Sequence, residues 1–197
     1  VMAERNTILI VDDLPDNVEI LQELLEDDYN LGVAFSGEEC LEKIGALKPD
    51  IVLLDVMMPG LDGYEVCRRV RAMPELAGTK IIFVSAKAQL KEKLEGYAAG
   101  ADDYIIKPFE KSCVMAKIRV FTRMVECERA LEKKKALLAH LYAKISAPLL
   151  KIQVCSQQLK GVKLLDEGQA DCLEGVIRAT ERFSGVLKQI IMVEEKK

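Results

Sequence analysis

Histidine is nearly missing from this chain: His140 is the only one in 197 residues, so a histidine-based metal site is out of reach. Paired cysteine spacing is missing too. Cys40, Cys67, Cys113, Cys127, Cys155 and Cys172 show neither zinc-ligand nor disulfide patterning, and read as reduced, small apolar residues on helical faces. No apolar run approaches the roughly 18–20 residues needed to span a bilayer, and the N-terminus lacks a signal-peptide pattern, so a cytoplasmic protein without membrane contact is expected. A net charge of −4 and no concentrated basic patch argue against a nucleic-acid partner. What the chain does have is a hydrophobic content of 50%, enough to build one full domain and a smaller element.

Short runs of β-branched and aliphatic residues near 7–11, 30–34, 51–54, 80–84 and 104–106 alternate with helical patterns near 16–27, 37–47, 64–72, 88–98 and from 110 onward. Pro15, Pro49, Pro59 and Pro74 and the Gly60 and Gly63 turns punctuate them. The alternation predicts an α/β fold, a doubly wound parallel sheet of five βα units with right-handed crossovers. Four of the runs end in polar residues: TILIV in Asp12 and Asp13, IVLL in Asp55, KIIFV in Ser85 and YII in Lys107. Ligands of such sheets bind beyond the carboxyl ends of the strands, where strand order switches. Three carboxylates, a hydroxyl and an amine are therefore expected in one pocket, suited to a phosphoryl group with a divalent cation. Singly, each has a plainer reading: a helix cap or solvated turn for the acidic pair, an N-cap for Ser85, a surface lysine for Lys107.

Glycine then disappears between 110 and 160, where Pro148 is the one proline. A single helix over that stretch would run roughly 75 Å, too long without a partner. Val114, Ile118, Phe121 and Val125 have the spacing to pack its start onto the sheet. A second stripe runs from Val120 through Met124, Cys127, Leu131, Lys134, Leu138, Leu141, Ile145, Pro148, Ile152 and Cys155 to Leu159, in alternating steps of four and three. After a loop from Gly161 to Gly168, a second amphipathic helix carries Leu173, Val176, Thr180, Phe183, Leu187 and Ile190. Two single-striped helices bury both stripes in a dimeric four-helix bundle. The alternative is a hairpin folded back on its own sheet domain. The division expected is 1–121 for the first domain and 122–197 for the helical one.

The segments VDD at 11–13, LLDVMMPGLDGYEV at 53–66, SAK at 85–87 and YIIKPF at 104–109 resemble the receiver domain of two-component response regulators in order and spacing. The resemblance implies the flavodoxin-like strand order 2-1-3-4-5. It implies Asp55 as the nucleophile that takes a phosphoryl group from a phosphohistidine or acyl phosphate. It also implies Mg²⁺ held by Asp12, Asp13, Asp55 and the Met57 carbonyl, Ser85 and Lys107 on phosphoryl oxygens, Tyr104 as an aromatic switch coupled to Ser85, and a cis Lys107–Pro108 bond. Partners would be a sensor histidine kinase or phosphotransfer protein and a downstream protein.

Residues 137–150, LLAHLYAKISAPLL, with the hairpin after them, resemble the dimerisation and histidine-phosphotransfer (DHp) domain of sensor kinases. Pro148, Leu149 and Ile145 fit that family's motif. Ala143 stands at the phosphoacceptor position, Lys144 at the acidic one and Ser146–Ala147 at the Arg-Thr pair. The scaffold is kept without the reactive residue. No Gly-rich ATP-binding segment follows, so autokinase activity is not expected and the only self-catalysis would be phosphoryl transfer to Asp55. A response regulator signalling through a dimeric pseudo-kinase bundle is the leading expectation. A phosphorelay transferase using His140, or a fragment of a hybrid kinase, are the alternatives. No DNA-binding or cyclic-dinucleotide synthase motif offers one of the usual outputs.

Overall fold

The computed structural model describes residues 5–86, 90–108, 110–160 and 167–195. Lys87 and Phe109 of the motifs above, and the 161–166 part of the expected loop, lie outside the described residues, as do the side chains of Leu187 and Ile190. The chain forms two compact units, Val1–Cys127 and Glu128–Lys197.

The first unit is a five-stranded parallel sheet in the order β2-β1-β3-β4-β5. Its strands are β1 (Thr7–Val11), β2 (Asn30–Ala34), β3 (Ile51–Asp55), β4 (Lys80–Ser85) and β5 (Asp103–Ile106). Between them lie α1 (Pro15–Leu25), α2 (Gly37–Leu47), α3 (Gly63–Arg71) and α4 (Leu90–Ala99), with a 3₁₀ turn at Pro74–Leu76. Strand side chains alternate between faces, so each face builds its own core. Leu9, Val11, Val52, Leu54, Ile81 and Phe83 pack with Ile44, Val66 and Val70 of α2 and α3. Ile8, Ile10, Ile51, Leu53, Ile82, Val84 and Ile105 pack with Val18, Leu21 and Leu25 of α1 and with Val114, Ile118 and Phe121. Both faces covered by helices is why these strands read as continuous apolar runs.

Local chemistry sets the helix starts. Ser36 Oγ accepts from the Glu39 amide at 3.1 Å while Glu39 reaches back to the Phe35 amide at 2.6 Å, a reciprocal cap for α2. Asp62 Oδ1 accepts from the Glu65 amide at 2.8 Å and caps α3. At the far end of α3 the Arg71 guanidinium donates to Gly100 O at 2.7 Å, Thr79 O at 2.6 Å and Asp102 Oδ2 at 2.6 Å, tying together the segments that flank β4.

Helix α5 is one continuous element, Lys111–Lys160, with Pro148 inside it, and α6 spans Glu167–Glu195. Val114, Ile118, Phe121 and Val125 are all buried, as their spacing predicts. The long second stripe behaves differently along its length. In the second unit Lys135, Leu138, Tyr142, Ile145, Leu149 and Gln153 of α5 and Leu173 and Ile177 of α6 are half-buried, and Ser156 and Thr180 are buried. Leu131, Leu141, Ile152 and Leu159, with Val176 and Phe183, stay exposed. The expected seam is thus two adjacent stripes, one partly buried and one exposed. Among the described residues no helix is long and apolar enough to cross a membrane. Of the cysteines only Cys40 and Cys67 act as small core residues, their thiols pushed up by burial to about 12 and about 11; the other four are exposed, contrary to a uniform apolar role.

Candidate functional site

Strand β1 ends at Val11 and β3 at Asp55, neighbours across the point where the chain reverses its order of winding. That junction sets Asp12, Asp13 and Asp55 together, with a carboxylate oxygen of each within 4.8 Å of the others. Asp12 is buried and fully occupied. Its Oδ1 accepts from the Leu14 amide at 3.1 Å and from Asn17 Nδ2 at 2.9 Å, and its Oδ2 accepts from Lys107 Nζ at 2.6 Å. Asp55 is 5% exposed. Its Oδ1 accepts from the Val56 amide at 2.8 Å, and its Oδ2 lies 3.3 Å from the same Lys107 ammonium. Burial raises the Asp55 carboxyl above its ordinary range; the Lys107 charge pulls it down and the Asp12 charge pushes it up again. Three crowded carboxylates against one ammonium leave an excess of negative charge, which suits a cation with a preference for hard oxygen ligands.

Asp13 is half-exposed at the edge of an open cleft of about 470 Å³ that Val56, Met57, Met58, Pro59, Asp62 and Tyr64 also line. Ser85 ends β4 and is fully buried, and its carbonyl accepts from the Lys107 amide at 2.9 Å, which links the ends of β4 and β5. The Lys107–Pro108 bond is cis. Tyr104 on β5 is buried, and its ring meets Phe83 edge-on with centroids 6.0 Å apart; Phe83 in turn meets Tyr64 at 5.3 Å. The expected aromatic switch therefore already points inward.

All five strand-end residues lie at the carboxyl edge, with the closest polar geometry joining Asp12, Asp55 and Lys107. Two contributors went unread in the sequence. Asn17 orients Asp12 from the first turn of α1, a contact that no motif or spacing marks. Gly63, expected only as a turn, begins α3 and lets it rest on the end of β3: a Cβ there would lie 2.2 Å from Asp55 O.

A doubly wound sheet in this strand order with an acidic cluster at the β1/β3 switch defines a receiver-type domain. A family profile described as the response regulator receiver domain matches residues 8–119, and the chain belongs to that family. The transcriptional regulatory protein DltR of Streptococcus agalactiae is 44% identical over 126 residues, 62% of this chain and 54% of DltR. The DNA-binding response regulator MtrA of Mycolicibacterium smegmatis is 38% identical over 127 residues, 64% of this chain and 54% of MtrA. The chain thus spans about half the length of the curated relatives it matches. Among solved structures, a CheY-like receiver domain from Methanospirillum hungatei superposes with a TM-score of 0.60 at 29% identity, over 64% of this chain and 99% of the other. The beryllofluoride-activated DrrB receiver domain does so at 0.57 and 30%, over 61% and 99%.

Proposed function

We propose that the chain is a phosphorelay response regulator, phosphorylated on Asp55, that acts through a dimeric, DHp-like helical bundle. The observation that carries the first half is Lys107 Nζ held between Asp12 and Asp55, at 2.6 and 3.3 Å. An oxygen of Asp55 forms the new P–O bond as the P–N bond of a phosphohistidine, or the P–O bond of an acyl phosphate, breaks and the electron pair leaves with the donor. Lys107 and Ser85 receive the phosphoryl oxygens. Asp12, Asp13, Asp55 and the Met57 carbonyl would hold Mg²⁺, which supplies neutralisation of the incoming charge. Tyr104, packed on Phe83, would report occupancy to the surface of α4 and α5 when Ser85 is drawn to the phosphate.

The second half rests on the exposed stripe of Leu131, Leu141, Ile152 and Leu159 with Val176 and Phe183, which a second copy would cover. We keep residues 1–121 as the phosphoacceptor part and 122–197 as the dimerising part. Ala143, at the place of the kinase family's histidine, is exposed and has no nucleophilic atom; His140 is exposed one turn earlier. The bundle is then a binding platform in a cytoplasmic protein, with a histidine kinase or phosphotransfer protein upstream and another protein downstream. The competing reading, His140 as a relay residue, lacks a neighbouring carboxylate base, since Lys144 takes that place.

One assay tests both halves of the chemistry. With labelled acetyl phosphate or a phosphohistidine donor and Mg²⁺, the parent chain gains hydroxylamine-sensitive label and Asp55→Asn gains none. Offered a phosphorylated receiver, Asp55→Asn gains no acid-labile, base-stable label. Equal label on Asp55→Asn refutes the acceptor assignment. Acid-labile label that a further His140→Ala change removes turns the tail into a phosphotransferase.

A further inference from the structure

Residues 56–62 carry Met57 from the end of β3 to the start of α3. The two ends of this loop are held by their neighbours in sequence: the Val56 amide donates to Asp55 Oδ1 at 2.8 Å and the Gly63 amide to Val56 O at 3.1 Å. Further along, the loop is held by another helix. The first turn of α2 meets Leu61 at both its amide and its carbonyl. Glu38 Oε1 accepts from the Leu61 amide at 3.2 Å. Gly37 is buried against the carbonyl, where a Cβ would lie 2.6 Å from Leu61 O and 3.0 Å from Leu61 Cβ. The Glu38 carboxylate also lies close to Gly60, whose φ of +77° favours glycine; a Cβ there would meet Glu38 Oε1 at 3.0 Å. Pro59, with its fixed φ, stiffens the short link from Leu61 back to Met57.

We propose that Glu38 is a positioning residue for the Mg²⁺ site: its hydrogen bond to Leu61 fixes the loop whose Met57 carbonyl completes the ligand set. The inference rests on the metal site of the function proposed above and adds a residue from outside the strand ends. Acidic residues in a first helical turn also interact favourably with the helix dipole, and Glu39 shares that role. The two differ in where their carboxylates go. Glu39 turns back to the Phe35 amide and to Lys43, at 2.6 Å each, whereas Glu38 reaches a residue 23 positions away in sequence. Mg²⁺ demands near-ideal octahedral geometry, so a ligand carried on a looser loop weakens its binding.

Three variants of the 197-residue chain test it, by Mg²⁺ calorimetry and, without metal, by hydrogen exchange at the Leu61 amide. Glu38→Ala should speed that exchange and raise the Mg²⁺ dissociation constant, each by about two- to tenfold, the range one net hydrogen bond is worth. Glu38→Gln keeps an acceptor oxygen and loses the charge, and should restore both to near the parent values. Glu42→Ala removes a carboxylate from an exposed position one turn along α2 and should leave both unchanged. Unchanged Leu61 exchange in Glu38→Ala, or faster exchange with unchanged Mg²⁺ affinity, overturns the proposal. So does a loss in Glu38→Gln or Glu42→Ala equal to that in Glu38→Ala, since charge alone would then account for it. Those results leave the Asp55 site standing. A parent chain that binds no Mg²⁺ overturns the metal site itself, and the role of Glu38 with it.

Discussion

Gly63→Ala is expected to destabilise the receiver unit and to disable its acidic site together. A methyl group at Gly63 would lie 2.2 Å from Asp55 O, 2.8 Å from Val56 Cα and 3.0 Å from Asp55 C, all backbone atoms that no rotamer change can move. The Gly63 amide donates to Val56 O at 3.1 Å, so α3 begins directly against the segment that carries Asp55 and Met57. Relief requires α3 to move off the end of β3, or the end of β3 to shift. Overpacking of this kind costs about 1–3 kcal/mol and sometimes more. Urea denaturation should show that loss. Calorimetry should show weaker Mg²⁺ binding than in a variant of equal stability altered elsewhere in the core, such as Ile44→Val. Unchanged stability and Mg²⁺ affinity would mean that the close packing of α3 on β3 does not position the site.

Asp55→Asn should abolish phosphorylation and, in the absence of Mg²⁺, make the fold more stable at neutral pH. Burial raises the folded-state Asp55 carboxyl above its unfolded value, with Asp12 adding to the rise and Lys107 opposing it. As pH increases, the unfolded chain releases this proton first and the folded chain later. Stability therefore falls across the window between the two values and stays lowered at neutrality. An amide carries no such cost. The melting midpoint should rise by a few degrees, one kcal/mol being worth roughly 2–8 °C in proteins of this size range. The gain should shrink near about pH 3, where the carboxylate is protonated in both states. Mg²⁺ should stabilise the parent and have much less effect on the variant. A gain that is the same at both pH values would remove Asp55 ionisation from the explanation.

The sheet was legible because most of its strands are buried on both faces and appear as apolar runs, four of the five stopped by the polar group they present. Asp12, Asp13, Asp55 and Lys107 could be placed in one pocket from those ends alone. Asn17 could not, because its contact with Asp12 depends on where α1 starts its first turn. The inward position of Tyr104 was also invisible, since the ring's place depends on the edge-on packing with Phe83 rather than on any spacing. In the tail, a four-three alternation marks Leu138 and Leu141 alike, yet the first is half-buried and the second exposed. Periodicity locates an apolar side of a helix; it does not say which part of that side a neighbouring helix will take.

On the function proposed above, occupancy of the Asp55 site governs the helical tail, and sedimentation equilibrium of the 197-residue chain with and without beryllofluoride and Mg²⁺ measures that coupling. Dimer dissociation constants should differ by about fivefold or more between the two states, the lower end of typical coupling between sites, with the difference lost in Asp55→Asn. Identical constants in the parent chain, with beryllofluoride shown to be bound, would contradict it.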